Sequence, residues 1–130
     1  MLFDRKERML RRLLLPLAVL GVSLAATATA QAATAKGPTL VGETGPGFKI
    51  EVTMNGRHLK TIKAGTYTIK IEDKSSIHNF HLIGKGVDKS TSVPFTGDKT
   101  WTVTLKPGTV TYQCDVHAAE GMKGTFKVTK

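Results

Sequence analysis

One cysteine, one tryptophan, two tyrosines and ten acidic residues are small allowances for a chain of 130 residues, and each shortage removes a class of protein. A lone Cys114 excludes an intramolecular disulfide framework, a cysteine-rich zinc finger and any metal centre built on two thiolates. So few tryptophans and tyrosines provide no platform for stacking nucleic-acid bases, and nucleic acid is not expected as a partner. The length excludes a two-domain enzyme. No Ser/His/Asp set, paired carboxylates or phosphate-cradling glycine loop is visible, so the chain is not read as an enzyme. Acid is scarce relative to base: 19 Lys and Arg oppose 10 Asp and Glu, a formal +9, and the hundred residues after position 30 retain +6. Such a surface favours acidic partners without naming them.

What is present begins with an address. Arg5, Lys6, Arg8, Arg11 and Arg12 precede an apolar run, Leu13 to Leu24, which small residues follow. This is the outline of a signal peptide over 1–30, with cleavage after Ala30 or after Ala32 by the small-x-small rule. Pro16, Gly21, Ser23 and Thr27 interrupt a run already shorter than the ~20 residues that a membrane span needs. No stable membrane insertion is therefore expected after cleavage, and the mature protein is placed outside the cytoplasm, in a periplasm or cell envelope or secreted. There an unpaired thiol needs protection, and a metal bond provides it.

Residues 31–38 are small and polar and read as a flexible leader; the domain is expected over 39–130. Turn signals at Asn55-Gly56, Ala64-Gly65, Gly84 to Gly86, Gly97-Asp98, Pro107-Gly108 and Glu120-Gly121 cut this part into short pieces. Several intervals are close to roughly ten residues, which suits a sandwich or barrel of strands. Period-2 rows run through Tyr67, Ile69 and Ile71; Trp101, Val103 and Leu105; Val110, Tyr112 and Cys114; and Phe126 and Val128. Phe48, Ile50 and Val52 form another, and His78, Phe80 and Leu82 a sixth. An all-β domain follows. Without an internal repeat, an oxidase assembled from duplicated sandwiches is excluded.

Cys114 closes an inward-facing row, His117 follows after two residues and Met122 after four more. With His and Met each 4 of 130 residues, finding both at two given offsets from the only Cys is about a one-in-a-thousand coincidence. A thiolate, an imidazole and a thioether thus share one loop after a strand. His78 supplies a fourth donor by sharing the inward face with Phe80 and Leu82. His81, the competing histidine, has the opposite parity and belongs with solvent or behind the ligands. His58 reads as exposed, and Met54 as strand packing. Soft sulfur with two imidazoles suits both Cu(I) and Cu(II) and suits neither a closed zinc site nor a hard cation.

The pairing of His78-Asn79 with Cys114, His117 and Met122, in an exported strand-rich domain, resembles a plastocyanin-type cupredoxin from about Thr39 to Lys130. The resemblance implies a Greek-key β-sandwich holding one type 1 (blue) copper. His78, His117 and Cys114 would be roughly trigonal and Met122 a long axial contact. It also implies that Asn79 ties the two ligand-bearing segments together by hydrogen bonds. The sequence departs from plant-type plastocyanin at Ile77 and Val116, where a Pro often precedes a ligand.

The expected function is one-electron transfer between protein redox partners with acidic docking surfaces, by a monomer. The alternative is copper binding and delivery outside the cytoplasm with the same ligands. Lys85, Lys89 and Lys123 are candidates for a docking rim around the copper end, and Ala118 and Ala119 would let a partner approach His117 closely.

Overall fold

The computed structural model describes residues 37–130. The expected signal peptide and residues 31–36 of the leader lie outside them.

Ten strands pair into two sheets. β1 (Thr39–Thr44), β2 (Ile50–Met54), β3 (Arg57–His58), β5 (Gly65–Asp73) and β8 (Gly97–Leu105) form the first, in the order β3-β2-β1-β5-β8. The second contains β4 (Thr61–Lys63), β6 (His81–Gly84), β7 (Val87–Ser90), β9 (Gly108–Gln113) and β10 (Lys123–Thr129), in the order β4-β10-β9-β6-β7. Most pairs are antiparallel, but β1 runs parallel to β5 and β4 parallel to β10. The chain crosses between sheets on either side of β4, after β5 and again on either side of β8. This is the Greek-key sandwich that the resemblance implies, and one of the two architectures, sandwich or barrel, that the turn spacing suits.

Alternation sets the core. Tyr67, Ile69 and Ile71 from β5 and Val103 and Leu105 from β8 face Leu82, Val110, Tyr112, Phe126 and Val128 of the other sheet, all buried. The β-branched and aromatic residues in these rows favour the pleated, half-buried state, while Thr and Lys occupy the outer positions. Asn55 and Gly56, at φ 51 and 73, make the tight turn between β2 and β3.

Two sequence expectations change. Gly97 and Asp98 do not form a turn. They open β8, paired with Asp73 and Glu72, because β5 offers a ladder long enough to hold them and Lys70 bridges Glu72 to Asp98 at 3.0 Å. Phe48 does not continue the inward row of Ile50 and Val52. It sits on the turn between β1 and β2, which is closed by Gly45 N–H donating to Lys49 O at 2.8 Å, with Gly45 and Gly47 in the left-handed region at φ 71 and 66.

The register brings the functional loops together. Thr44 is level with Ile50 and Asp73, and Asp73 with Gly97; in the other sheet His81 and Lys123 are both level with Gln113. The segments 45–49, 74–80, 91–96 and 114–122 therefore gather at one end of the sandwich.

Close packing beneath that end requires a glycine. At Gly42 on β1 a methyl group would stand 2.6 Å from Phe80 Cζ and 2.8 Å from Ile71 Cδ1, both on fully buried side chains. Gly42→Ala is therefore expected to cost about 1–3 kcal/mol by overpacking. Urea unfolding should show it, while Thr102→Ala on the exposed face of β8 should stay within ~0.5 kcal/mol of the parent.

Candidate metal centre

Two loops carry the donors. β9 ends one residue before Cys114, and its inward row delivers that thiol, fully buried, at the edge of the core. The chain then folds back on itself. His117 N–H donates to Cys114 O at 3.2 Å, a 3-10 turn spans Ala118–Glu120, and Gly121 reverses it at φ 96. Met122 N–H reaches His117 O at 3.2 Å, and Cys114 N–H reaches Met122 O at 3.0 Å. These backbone bonds hold Cys114, His117 and Met122 together without help from their side chains. Met122 is fully buried.

His78 comes from the other loop, between β5 and β6. Its buried foundation is Asp73 at the end of β5: the carboxylate accepts from Ser75 N–H at 3.2 Å and from the Thr91 hydroxyl at 2.9 Å. The Thr91 oxygen in turn accepts from Phe80 N–H at 2.8 Å. Burial pushes the Asp73 carboxyl above its ordinary pKa, although the bonds from Ser75 and Thr91 and the proximity of His78 oppose the shift. Nothing local in the sequence marks Asp73 or Thr91, because, apart from the bond from nearby Ser75, the links that give them their roles join Asp73 to Thr91 and Thr91 to Phe80, 18 and 11 residues apart.

The donors converge. His78 Nδ1 and His117 Nδ1 are 2.8 Å apart, and Cys114 Sγ is 3.8 Å from the first and 3.6 Å from the second. The point equidistant from the three atoms lies about 2.0 Å from each, within the ~2.0–2.3 Å reach of metal–imidazole and metal–thiolate bonds. Two imidazole lone pairs and a sulfur so close repel one another unless protons or a cation lie among them. Among the described residues this is the one cluster of His, Cys, Asp and Glu with a metal-holding spacing. A nitrogen–nitrogen–sulfur triangle fits copper on the chemistry of its donors.

Asn79 joins the two loops. Its carbonyl oxygen accepts from Asp115 N–H at 2.8 Å, and its amide donates to the Asp115 carboxylate at 2.8 Å and to Thr91 O at 3.3 Å. The residue is buried, not outward-facing. Asp115, next to Cys114, also accepts from Gln113 at 3.0 Å and lies 2.8 Å from His81 Nδ1. Burial pushes its carboxyl up, but the bonds from Gln113, His81 and Asn79 outweigh that and hold the pKa below its ordinary value.

His81 stands outside the His78–Cys114–His117 cluster, in keeping with its parity, and spans two carboxylates: Nδ1 to Asp115 at 2.8 Å and Nε2 to Asp88 at 2.7 Å. Only a doubly protonated ring can donate to both. Burial disfavours that charge, yet Asp88 and Asp115 overcome it and the pKa is raised.

The rim is apolar. Phe48, Ile77 and Val116 are the exposed large hydrophobics of the described residues, at 61%, 61% and 54%. Phe48 sits edge-on to both histidine rings, with centroids 5.4 Å from His78 and 5.0 Å from His117. Of the candidate rim lysines, Lys123 is level with Gln113 at this end, and Lys89 pairs with Leu82. Lys85 is misplaced by the sequence reading. It lies in the turn beyond Gly84, three ladder rungs and about 10 Å from His81, at the far end. His58 is exposed and reaches Glu51 at 3.3 Å, and Met54 packs at the core edge, both away from the donors.

This topology is the cupredoxin fold. No family model matches the chain, but solved structures do. A copper protein, rusticyanin, is 24% identical with a TM-score of 0.54, over 70% of this chain and 76% of that one. Reduced rusticyanin is 22% identical, with a TM-score of 0.51, over 70% and 78% of the two chains. Dithionite-reduced auracyanin from the photosynthetic bacterium Roseiflexus castenholzii is 19% identical, with a TM-score of 0.53, over 73% of this chain and 99% of its own.

The carboxylate clamp on His81 generates a pH dependence with a definite sign. A raised folded-state pKa means that its contribution to stability is complete below the unfolded value of about 6.5 and is lost as pH rises through the folded value. Urea midpoints of the metal-free protein should therefore fall with rising pH more steeply than those of His81→Asn, and the gap between the two proteins should close at high pH. A constant gap would show that the ring is not charged in the clamp.

Proposed function

We propose that the protein is a small one-electron carrier outside the cytoplasm, in which His78 Nδ1, His117 Nδ1 and Cys114 Sγ would hold one type 1 copper and the Met122 thioether would be a weak further donor. The observation that carries this reading is the convergence of two imidazole nitrogens and one thiol at the end of a cupredoxin sandwich. The bound ion would supply a Cu(I)/Cu(II) couple. Everything else is the work of the chain.

The backbone bonds among Cys114, His117 and Met122, and the Asn79 bridge to His78, resist movement of the donors when charge changes. A carrier needs that rigidity. His117 is the partly exposed donor, and the apolar rim lets a partner desolvate and approach its ring closely. Two of the structural neighbours are described in reduced forms, so redox change is a property of those proteins. Delivery of copper has less support: His78, Cys114 and Met122 are buried, whereas handing on an ion requires donors that a receiving protein can reach. The same reading makes the protein a carrier rather than an enzyme, with acidic partners meeting the basic surface at Lys123 and Lys89.

The test is the spectrum of the copper-loaded protein. One copper per chain should give intense colour that bleaches on mild reduction, because a thiolate bound to Cu(II) gives strong charge transfer, and Cys114→Ser should remove it. A colourless complex, or uptake of zinc alone, overturns the assignment. Met122→Leu should keep both copper and colour but raise the reduction potential, since a weak donor to Cu(II) is lost; loss of copper from that variant would mean that the thioether holds the ion.

A further inference from the structure

The donors are not equally accessible. Cys114 and Met122 are fully buried and His78 is 1% exposed, so the route from solvent to the nitrogen–nitrogen–sulfur triangle passes His117. Over that approach stands Phe48, its edge against both imidazoles. A phenylalanine so exposed gains little from burial; what it has in exchange is the contact with the two rings.

The turn that carries it is fixed at one side and free at the other. Lys49 is anchored by ion pairs to Glu43 at 2.7 Å and Glu51 at 2.9 Å, and Gly45 N–H closes the turn on Lys49 O. Gly45 and Gly47 have the left-handed φ values that a side chain would resist. Phe48 itself is 61% exposed, and a Cβ built on Gly47 would meet no atom within 4 Å, so solvent borders this part of the turn. A rotation about χ1 can therefore carry the ring outward while the anchored backbone stays in place.

We propose that Phe48 is a gate for metal exchange: its ring closes the passage beside His117, and copper enters and leaves only when the ring swings away from the two imidazoles. This rests on the reading of His78, Cys114 and His117 as copper ligands. The ring is a positioning residue and donates nothing to the ion. Removing it should lower the barrier in both directions while leaving the bound state nearly as stable. Edge contacts between aromatic rings are each worth a few-fold to tenfold, so roughly a tenfold faster exchange is expected from losing two of them.

The experiment compares the parent with Phe48→Ala and Phe48→Leu. The rate of copper(I) transfer from the loaded protein to excess bicinchoninate gives release, stopped-flow mixing of metal-free protein with buffered copper(I) gives uptake, and competition at equilibrium gives Kd. Urea midpoints of the metal-free proteins establish that the variants fold. The gate requires both rates to rise about tenfold in Phe48→Ala, less in Phe48→Leu, with Kd changed by less than about twofold. Unchanged rates overturn it. So does faster release with unchanged uptake and a weaker Kd, which would show that Phe48 only stabilises the bound state. If the parent itself takes up no copper, the failure lies in the ligand assignment, and the gate falls with it.

Discussion

Both amide protons of Asn79 and its carbonyl oxygen are engaged, and each bond crosses to a different stretch of chain or to a different atom of Asp115. Because the residue is buried, these bonds are made away from competing water, where leaving one unmade costs about 1–3 kcal/mol. The sheets alone would bring the loops at this end of the sandwich near one another. The Asn79 amide converts proximity into a set distance between His78 and Cys114. Its own backbone oxygen accepts from the Thr44 hydroxyl at 3.4 Å, which ties the same point to β1 in the opposite sheet.

Behind that amide lies a short relay of charge. Asp115 is held by Asn79, Gln113 and His81, and His81 is held in turn by Asp88 on β7. The carboxylate next to the thiol is thus partly neutralised by a cation on the adjoining strand. At the end of β5, beneath the other loop, Asp73 plays a matching part, with Thr91 and Ser75 as its partners. Two carboxylates, one beneath each donor-bearing segment, thus organise the backbone around the donors. Among the described residues every buried side-chain nitrogen and oxygen has a partner, so the polar layer under the metal end is complete.

Outside this layer the character changes abruptly. The rim consists of Phe48, Ile77 and Val116, and the ion pairs of Glu43, Lys49, Glu51 and Lys74 lie on the outer face of the first sheet. Such surface pairs contribute little to stability singly. Their use here is local: Lys49 pins the base of the turn from which Phe48 projects. A rigid interior and a thin apolar cover serve different ends, the first fixing the donors and the second deciding what reaches them.

The linear sequence made some of this legible. Cys114, His117 and Met122 are close along the chain, and a loop closed by its own backbone bonds needs no distant partner to gather them. Strand alternation reports which side of a ladder meets the core, which is why His78 could be separated from His81 by parity. The same rule failed at Phe48, because the row of Ile50 and Val52 does not extend back through Lys49 into the turn that Gly45 N–H closes, where a period of two has no meaning. It failed at Gly97-Asp98 because turn-forming residues can be recruited into a strand when a long partner is available. The placement of Lys85, the clamp on His81, and the roles of Asp73 and Thr91 were decided only in three dimensions. Each depends on which strand ends the sheet order brings to the same end of the sandwich, and that order arises from pairings between residues far apart in the chain, which local pattern does not encode.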